Sequence, residues 1–387
     1  MAHPAGSGLK VQRFPAFSVP HFRLFAVGNG LSMTGDNMEH VIGYWVIWQV
    51  THSPFWLGYA VVAHWLPFTL FSLYSGSLAD RTNYRSLMQL AQGIYILVSL
   101  SWGYLFLTDQ IEIWHISVLL VCHGIAGLIY GPSSMLIIHD MVGADKLVSA
   151  ISLNASLRPM ANSIGPMLGG GLMATVGPGW AFCANALIYL PLTTMLFFLP
   201  YGRSSAEKKK EKGWPFILEG ISTVKKSPTI VTLLVVVSMS SLLMGNAFQA
   251  FIPPLAERLG LTATGYSVLL VAFGMGAILG GFVLGWIGST KLRPIVVTIG
   301  GLAWSALLIF LSLSRSYPLS LGILCLAGTT QIVLMAMSQS IVQSWAPKAL
   351  RGRVIGIYNF AAFGMRALSG FLIGSLATLF GTPMPFS

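Results

Sequence analysis

The chain has 387 residues, of which 9% are charged and 55% hydrophobic, with a mean hydropathy of +0.74. A soluble domain carries about 25% charged residues, so this composition excludes a soluble globular protein. The natural solvent for such a chain is a bilayer, where a helical span needs roughly 20 apolar residues. We therefore predict an all-α membrane protein.

Apolar stretches along the chain predict eleven membrane-spanning helices. They run over 22–50, 54–79, 87–107, 113–139, 147–176, 180–200, 229–252, 265–288, 293–313, 318–345 and 353–380. The first stretch follows a basic segment, but it is much longer than the roughly 7–15 apolar residues of a signal peptide. We therefore expect a multi-pass protein that retains its first span.

The net charge of +11 is explained by membrane topology. With a cytoplasmic N-terminus, 18 of the 22 Lys and Arg residues fall on the cytoplasmic side. Only Arg258 and Arg315 fall opposite, while Arg158 and Arg366 lie within spans. This asymmetry follows the positive-inside rule and predicts an inner (plasma) membrane protein without a nucleic-acid partner. Three cysteines at unrelated positions within spans indicate neither a disulfide nor a metal framework.

A polar interval over residues 201–228 divides the chain into two parts. It contains the charge run EKKKEK at 207–212. The stretch that follows places apolar side chains on one helical face, which predicts an amphipathic helix on the cytoplasmic surface; a solvated loop is the alternative. We expect an N-terminal bundle over 1–200 and a C-terminal bundle over 229–387.

The two parts resemble each other at an offset of 205 residues. The matching pairs are Gly76 with Gly281, Asn154 with Asn359, Gly165 with Gly370, and Gly169 with Gly374. Parallel repeats of this kind are a known transporter architecture and predict six-plus-six helices around a central cavity. The second part has only five predicted spans, so the twelfth helix is apparently absent, by nature or by truncation.

The end of the second span carries the sequence GSLADRTNYR. It resembles the loop 2–3 signature of the major facilitator superfamily, which Gly76, Asp80, Arg81 and Arg85 match. Asn83 replaces a glycine of that signature, and Asn tolerates a left-handed turn better than most residues. The resemblance implies the major facilitator fold.

The charges of this signature predict a cytoplasmic gate. Asp80 and the nearby arginines can pair with each other and with helix ends of the other half. We expect Asp140, Arg351 and Arg353 to join them. Simple snorkelling of the charges to the membrane surface is the alternative.

Further stretches resemble one branch of the superfamily. IGPMLGG in the fifth span is similar to an antiporter motif, with Gly165, Pro166, Gly169 and Gly170 permitting close helix packing. APKALRGRVIGIYN and DKLVSAISLN resemble the enterobactin-exporter and macrolide-efflux branch. The resemblance implies a monomeric, proton-coupled exporter of a siderophore-like or amphipathic drug-like small molecule. An importer of a metal complex or nutrient is the alternative; we expect no enzymatic activity and no cofactor.

Ionisable residues within spans are the best candidates for coupling, since each costs about 2.5–3.5 kcal/mol to insert at a helix centre. Asp36, Glu39 and His40 share one helical face and predict a proton-coupling or cation-recognition cluster; a structural role at a helix interface is the alternative. Carboxylates and imidazoles at helix spacing can also bind metal. No second Glu-x-x-His helix is present, so we expect no metal site.

Four further intramembrane residues carry open alternatives. His64 and His123 either face the cavity with His40 or are hydrogen-bonded packing residues. Arg158 and Arg366 lie in the matching fifth and eleventh spans. A buried arginine needs a carboxylate partner or an anionic ligand. We expect either pairing with Asp36 and Glu39 or recognition of an acidic substrate.

Overall fold

A computed structural model of the protein describes residues 15–202, 221–244, 247–287, 293–347, 354, 357–358 and 360–379. Within these ranges the regular secondary structure is helical, with no strand. The first part begins with a 3₁₀ turn, Pro15–Ser18, followed by helices α1 (Pro20–Thr51), α2 (Pro54–Arg81) and α3 (Tyr84–Leu107). The predicted all-α class is confirmed.

Two glycines separate the next three helices from one another. The continuous helical stretch Ile113–Phe198 is interrupted at Gly143 (φ 68°) and Gly177 (φ 82°). Both positions have the positive φ that glycine adopts without a steric cost. The interruptions separate α4 (113–142), α5 (144–176) and α6 (178–198), in agreement with the predicted span limits.

The second part continues with α7 (Pro228–Met244) and two short helical segments, Ala247–Ala250 and Ile252–Arg258. The remaining helices are α8 (Ala263–Ile287), α9 (Pro294–Leu313), α10 (Tyr317–Trp345) and, after a π-helical turn at Phe360–Gly364, α11 (Met365–Leu379). Residues 203–220 of the predicted linker lie outside the described ranges. Residues 221–225 of the linker are helical, and Val224 is buried.

Six helices among the described residues are long and apolar enough to cross a membrane. They are Tyr84–Leu107, Ile113–Gly143, Asp145–Phe198, Ala263–Leu284, Pro294–Leu313 and Tyr317–Val342. The third of them, Asp145–Phe198, contains both α5 and α6. The count of eleven spans stays a prediction. Large apolar side chains such as Phe198 (82% exposed) and Leu313 (70%) point outward, as expected where lipid replaces water. The protein is a multi-pass membrane protein.

Two pairs of long helices, each with one member from either part, pack along each other. α5 packs against α8, where a Cβ added to Gly170 would lie 2.1 Å from Ser267 Cβ. α2 packs against α11, and Thr69 Oγ1 donates to the carbonyl of Gly364 at 2.9 Å. In a six-helix repeat α2 corresponds to α8 and α5 to α11. The two contacts are therefore equivalent, as expected for repeated halves.

The glycine-rich stretch of α5 has a packing role on two sides. A Cβ at Gly165 would lie 2.7 Å from Asn37 Cβ of α1, and one at Gly169 would lie 3.2 Å from Met38 Cγ. Gly170 faces α8 instead. Small residues thus let α5 approach both neighbours closely.

The same reasoning gives a stability prediction for α8. A Cβ at Gly276 would lie 1.8 Å from the carbonyl oxygen of Cys325 in α10, whereas one at Gly281 would contact nothing within 4 Å. We expect Gly276→Ala to lower the thermal unfolding midpoint in detergent by a few degrees, since overpacking costs about 1–3 kcal/mol. Gly281→Ala, the matched control, gains helix propensity and should not destabilise. Equal midpoints for the two variants would contradict the packing of α8 on α10.

Candidate functional site

Three histidines lie at one depth, one on α1 and the others on α2 and α4, which run antiparallel to α1. His40 precedes the end of α1 at Thr51 by eleven residues. His64 follows the start of α2 at Pro54 by ten residues, and His123 follows the start of α4 at Ile113 by ten. At 1.5 Å per residue they lie about 15 Å from that end of the helices. This is close to the middle of a hydrocarbon core of about 30 Å.

His123 joins the two carboxylates of α1. Its Nε2 lies 2.8 Å from Asp36 Oδ1, and its Nδ1 lies 2.9 Å from Glu39 Oε1. The ring is 3% exposed. Ionised carboxylates only accept hydrogen bonds. Two hydrogen bonds therefore form either when a doubly protonated ring donates to both carboxylates, or when a neutral ring donates to one and accepts from the protonated carboxyl of the other. The three groups form one hydrogen-bonded unit.

Glu39 of α1 is hydrogen-bonded to side chains of three other helices. His123 of α4 contacts its Oε1. Its Oε2 accepts from Ser99 Oγ of α3 at 2.5 Å and from Asn185 Nδ2 of α6 at 3.2 Å. The residue is 4% exposed. A carboxylate in an apolar interior is tolerated when it is paired and hydrogen-bonded in this way. These contacts fix its orientation toward His123.

His40 and His64 complete the group. The Nδ1 of His40 lies 2.7 Å from the carbonyl oxygen of Asp36. Its ring centroid lies 4.5 Å from that of His64 and 5.1 Å from that of His123. The structure thus brings together five predicted site residues, which we call the histidine–carboxylate cluster: Asp36, Glu39, His40, His64 and His123.

A small cavity adjoins this cluster. Helices from both parts line it, with His40 and Tyr44 from α1, Asn162 and Pro166 from α5, and Gln249 from the segment after α7. His40 belongs both to the cavity wall and to the cluster. The cavity, of about 10 Å³, has room for a single water molecule in this conformation, and widening it would open a space next to the histidine–carboxylate cluster.

The two intramembrane arginines occupy different surroundings. The guanidinium of Arg366 lies over the ring of Trp65, with 4.7 Å to its centroid, as in a cation–π contact. Arg158 on α5 is exposed. The partner that the structure gives to both Asp36 and Glu39 is His123, a pairing that the sequence pattern alone does not predict.

Only part of the predicted gate can be described. Arg351 and Arg353 lie outside the described residues, as do the surroundings of Gly76 and the side chains of Asp80 and Arg81 in α2. Asp140 accepts a hydrogen bond from the hydroxyl of Tyr84, and the guanidinium of Arg85 donates to the carbonyl of Leu199. Both contacts fix the α2–α3 loop against α4 and the end of α6.

Asn83 does not adopt the left-handed conformation that Asn tolerates. Asn83 has φ −70° and ψ 101°, and its side chain accepts from the amides of Arg85 and Ser86 at 3.1 and 3.2 Å. It is the N-cap of α3, a position with extended backbone that Asn favours because its oxygen satisfies free amides.

Sequence reasoning missed the polar residues that support the cluster. Gln92 donates to Ser32 at 2.9 Å, and Asn185 also donates to Ser99 at 3.0 Å. Each of these side chains is an uncharged polar group in an otherwise apolar helix. The signal for them in the sequence is an uncharged polar residue within an apolar span, which does not identify its partner.

Comparison with known proteins identifies the relatives of the chain. Residues 12–386 match the family model described as transmembrane secretion effector. The chain is 23% identical over 367 residues to the enterobactin exporter EntS of Escherichia coli O1:K1 / APEC, covering 93% of this chain and 86% of that protein. The same figures hold for the enterobactin exporter EntS of Shigella boydii serotype 18.

Solved structures resemble the fold over most of its length. One is a bacterial homolog of the human lysosomal transporter Spinster in an inward-facing, unoccupied conformation, with a TM-score of 0.69 at 14% identity. It covers 97% of this chain and 84% of the other. Another is the nucleoside transporter NupG, with a TM-score of 0.72 at 11% identity over 94% of this chain and 92% of the other. These likenesses concern the fold.

Proposed function

Because the chain belongs to the transmembrane secretion effector family, a branch of the major facilitator superfamily, we propose that this transporter is a proton-coupled exporter. It moves a small molecule out of the cell by alternating access. We place it in the inner membrane as a monomer with a cytoplasmic N-terminus. The division into bundles 1–200 and 229–387, joined by 201–228, belongs to the same proposal.

One observation carries the proposed coupling: His123 bridges Asp36 and Glu39 at 2.8 and 2.9 Å near the middle of the membrane. Buried ionisable groups in spans are typical of proton relays in transporters. His40 links this unit to the cavity between the two parts. Protonation would change the net charge of this unit, which adjoins the cavity wall. The affinity of the cavity for a substrate would then depend on the protonation state of the unit, and such a dependence is what coupling requires.

The proposed substrate is an amphipathic, acidic molecule such as a catecholate siderophore. The similarity to enterobactin exporters supports this class. The side chains at the cavity agree with it, because Tyr44 supplies an aromatic face and Asn162 and Gln249 supply hydrogen-bonding groups. Arg366 lies over Trp65 within the helical bundle, and its guanidinium supplies a positive charge with which an acidic substrate can pair.

Everted membrane vesicles that contain the full chain test this proposal. With radiolabelled enterobactin as the probe, we expect uptake that requires an energised membrane and falls to background after a protonophore. Asp36→Asn should abolish the uptake, since a neutral amide cannot exchange a proton with His123. The matched control is Asp109→Asn, because Asp109 is exposed and has φ 52°, a conformation that Asn tolerates.

Each part of the proposal has its own contrary outcome. Uptake that persists after the protonophore excludes proton coupling. Uptake in right-side-out vesicles in place of everted ones excludes export and favours import. Full uptake by Asp36→Asn would show that the carboxylate of Asp36 is not required for coupling.

A further inference from the structure

Three imidazoles from three helices converge within the membrane. The ring centroids of His64 and His123 lie 5.1 Å apart, and each is within 5.1 Å of the centroid of His40. One ring nitrogen of each histidine lies within 4.8 Å of the corresponding nitrogens of the other two. Side chains that reach one point from α1, α2 and α4 form a set of nitrogen donors around a common centre.

Two of these imidazoles keep a nitrogen without a hydrogen-bond partner. The Nε2 of His40 and the Nδ1 of His64 are both inaccessible and unpartnered among the described residues. Buried polar atoms in proteins are normally hydrogen-bonded. Unpartnered ring nitrogens on two members of a three-histidine group therefore point to a ligand that binds them.

The outer contacts of the cluster are those of a metal site. The Nδ1 of His40 donates to the carbonyl of Asp36 at 2.7 Å, which leaves the lone pair of that ring on Nε2. His123 Nδ1 faces the carboxylate of Glu39 at 2.9 Å. Metal-ligating histidines almost always donate their second nitrogen to a carboxylate or a backbone carbonyl, which orients the ring.

We propose that His40, His64 and His123 bind one divalent transition-metal ion, with Asp36 Oδ1 as the fourth ligand. Asp36 Oδ1 already lies 2.8 Å from His123 Nε2. Three imidazoles and one carboxylate complete the tetrahedral shell that Zn²⁺ prefers. Imidazole favours Zn²⁺, Co²⁺, Ni²⁺ and Cu²⁺ over Mg²⁺ and Ca²⁺, which require oxygen ligands. Two positive charges also balance the carboxylates of Asp36 and Glu39 in an apolar interior.

Binding requires only side-chain movement. Ligand atoms at about 2.0–2.1 Å from a tetrahedral ion lie about 3.3 Å apart. The three imidazole nitrogens would therefore close by up to about 1.5 Å from their separation here. The absence of a second Glu-x-x-His helix does not exclude this site, because its histidine ligands come from single positions on three different helices.

Zn²⁺ binding to the purified full chain tests the site without any transport. Isothermal titration calorimetry with ZnCl₂ should give one ion per chain, and MgCl₂ should give no binding. His40→Gln and His64→Gln should each weaken Zn²⁺ binding at least tenfold. His115→Gln is the matched control, because His115 lies at the start of α4 and accepts from the amide of Glu112 at 3.1 Å, a capping role that Gln also fills.

Co²⁺ supplies a second readout that separates ligand loss from misfolding. Four-coordinate Co²⁺ absorbs visible light strongly, and the band should appear with the wild type and His115→Gln but not with His64→Gln. Circular dichroism checks that each variant remains helical. Absence of Zn²⁺ binding by the wild type, or equal affinity in His64→Gln, overturns the site. Neither outcome bears on the proposed export, which is measured in vesicles.

Discussion

Replacing His123 by Gln is expected to abolish gradient-driven transport and to lower the thermal unfolding midpoint more than any other histidine substitution. His123 holds Asp36 and Glu39 through opposite nitrogens of one ring. Gln has a single amide nitrogen and cannot donate to both carboxylates in that geometry. Removing one partner of a buried ion pair costs about 3–5 kcal/mol because the remaining charge lies uncompensated in an apolar interior.

A double-mutant cycle isolates this charge effect from simple loss of packing. Adding Glu39→Gln to His123→Gln removes one of the carboxylates that the first substitution leaves unpaired. The double variant should therefore be less destabilised than the sum of the two single variants, by about 0.5–3 kcal/mol. Thermal unfolding in detergent gives the midpoints, and His115→Gln serves again as the control. Strictly additive losses would contradict the ion pair, even though transport would still be lost.

Local sequence information was sufficient for the limits of several helices. Apolar runs gave the helix limits to within a few residues for α1 and α9, because a bilayer permits few alternatives to a helix. Spacing of three and four residues also placed Asp36, Glu39 and His40 on related faces of α1.

The partners of those side chains depended on tertiary packing. Which face of α2 and α4 turns toward α1 decides whether His64 and His123 approach Asp36. That rotation follows from close contacts such as the one at Gly124, where an added Cβ would lie 2.2 Å from the carbonyl oxygen of His64. A contact of this kind has no local signature, whereas the common depth of the three histidines does.

Replacing Trp48 by Phe is expected to make the cavity more accessible to solvent from the side of the membrane at which α1 ends. Trp48 is fully buried, and its Nε1 donates to the carboxylate of Glu257 in the second part of the chain. His52 Nδ1 lies 3.7 Å from the same carboxylate. Under the proposed alternating access, this contact between the two parts must break whenever that end opens. A hydrogen bond to a charged group contributes about 1.5–3 kcal/mol, so its loss should favour opening by about tenfold or more.

Labelling of an engineered cysteine at Gln249, in the cavity wall, measures this opening. Cys122, Cys183 and Cys325 are first replaced by Ala. A membrane-impermeant maleimide is then added on the side of the membrane at which α1 ends. It should react with the cysteine at position 249 about tenfold faster when Trp48→Phe is also present. Trp304→Phe is the matched control, because Trp304 is equally buried and its Nε1 has no partner among the described residues. It loses the same atoms without losing a hydrogen bond. Equal labelling rates in the two variants would mean that Glu257 does not hold this end closed. An increase confined to Trp48→Phe would identify its hydrogen bond as a contact that opposes opening.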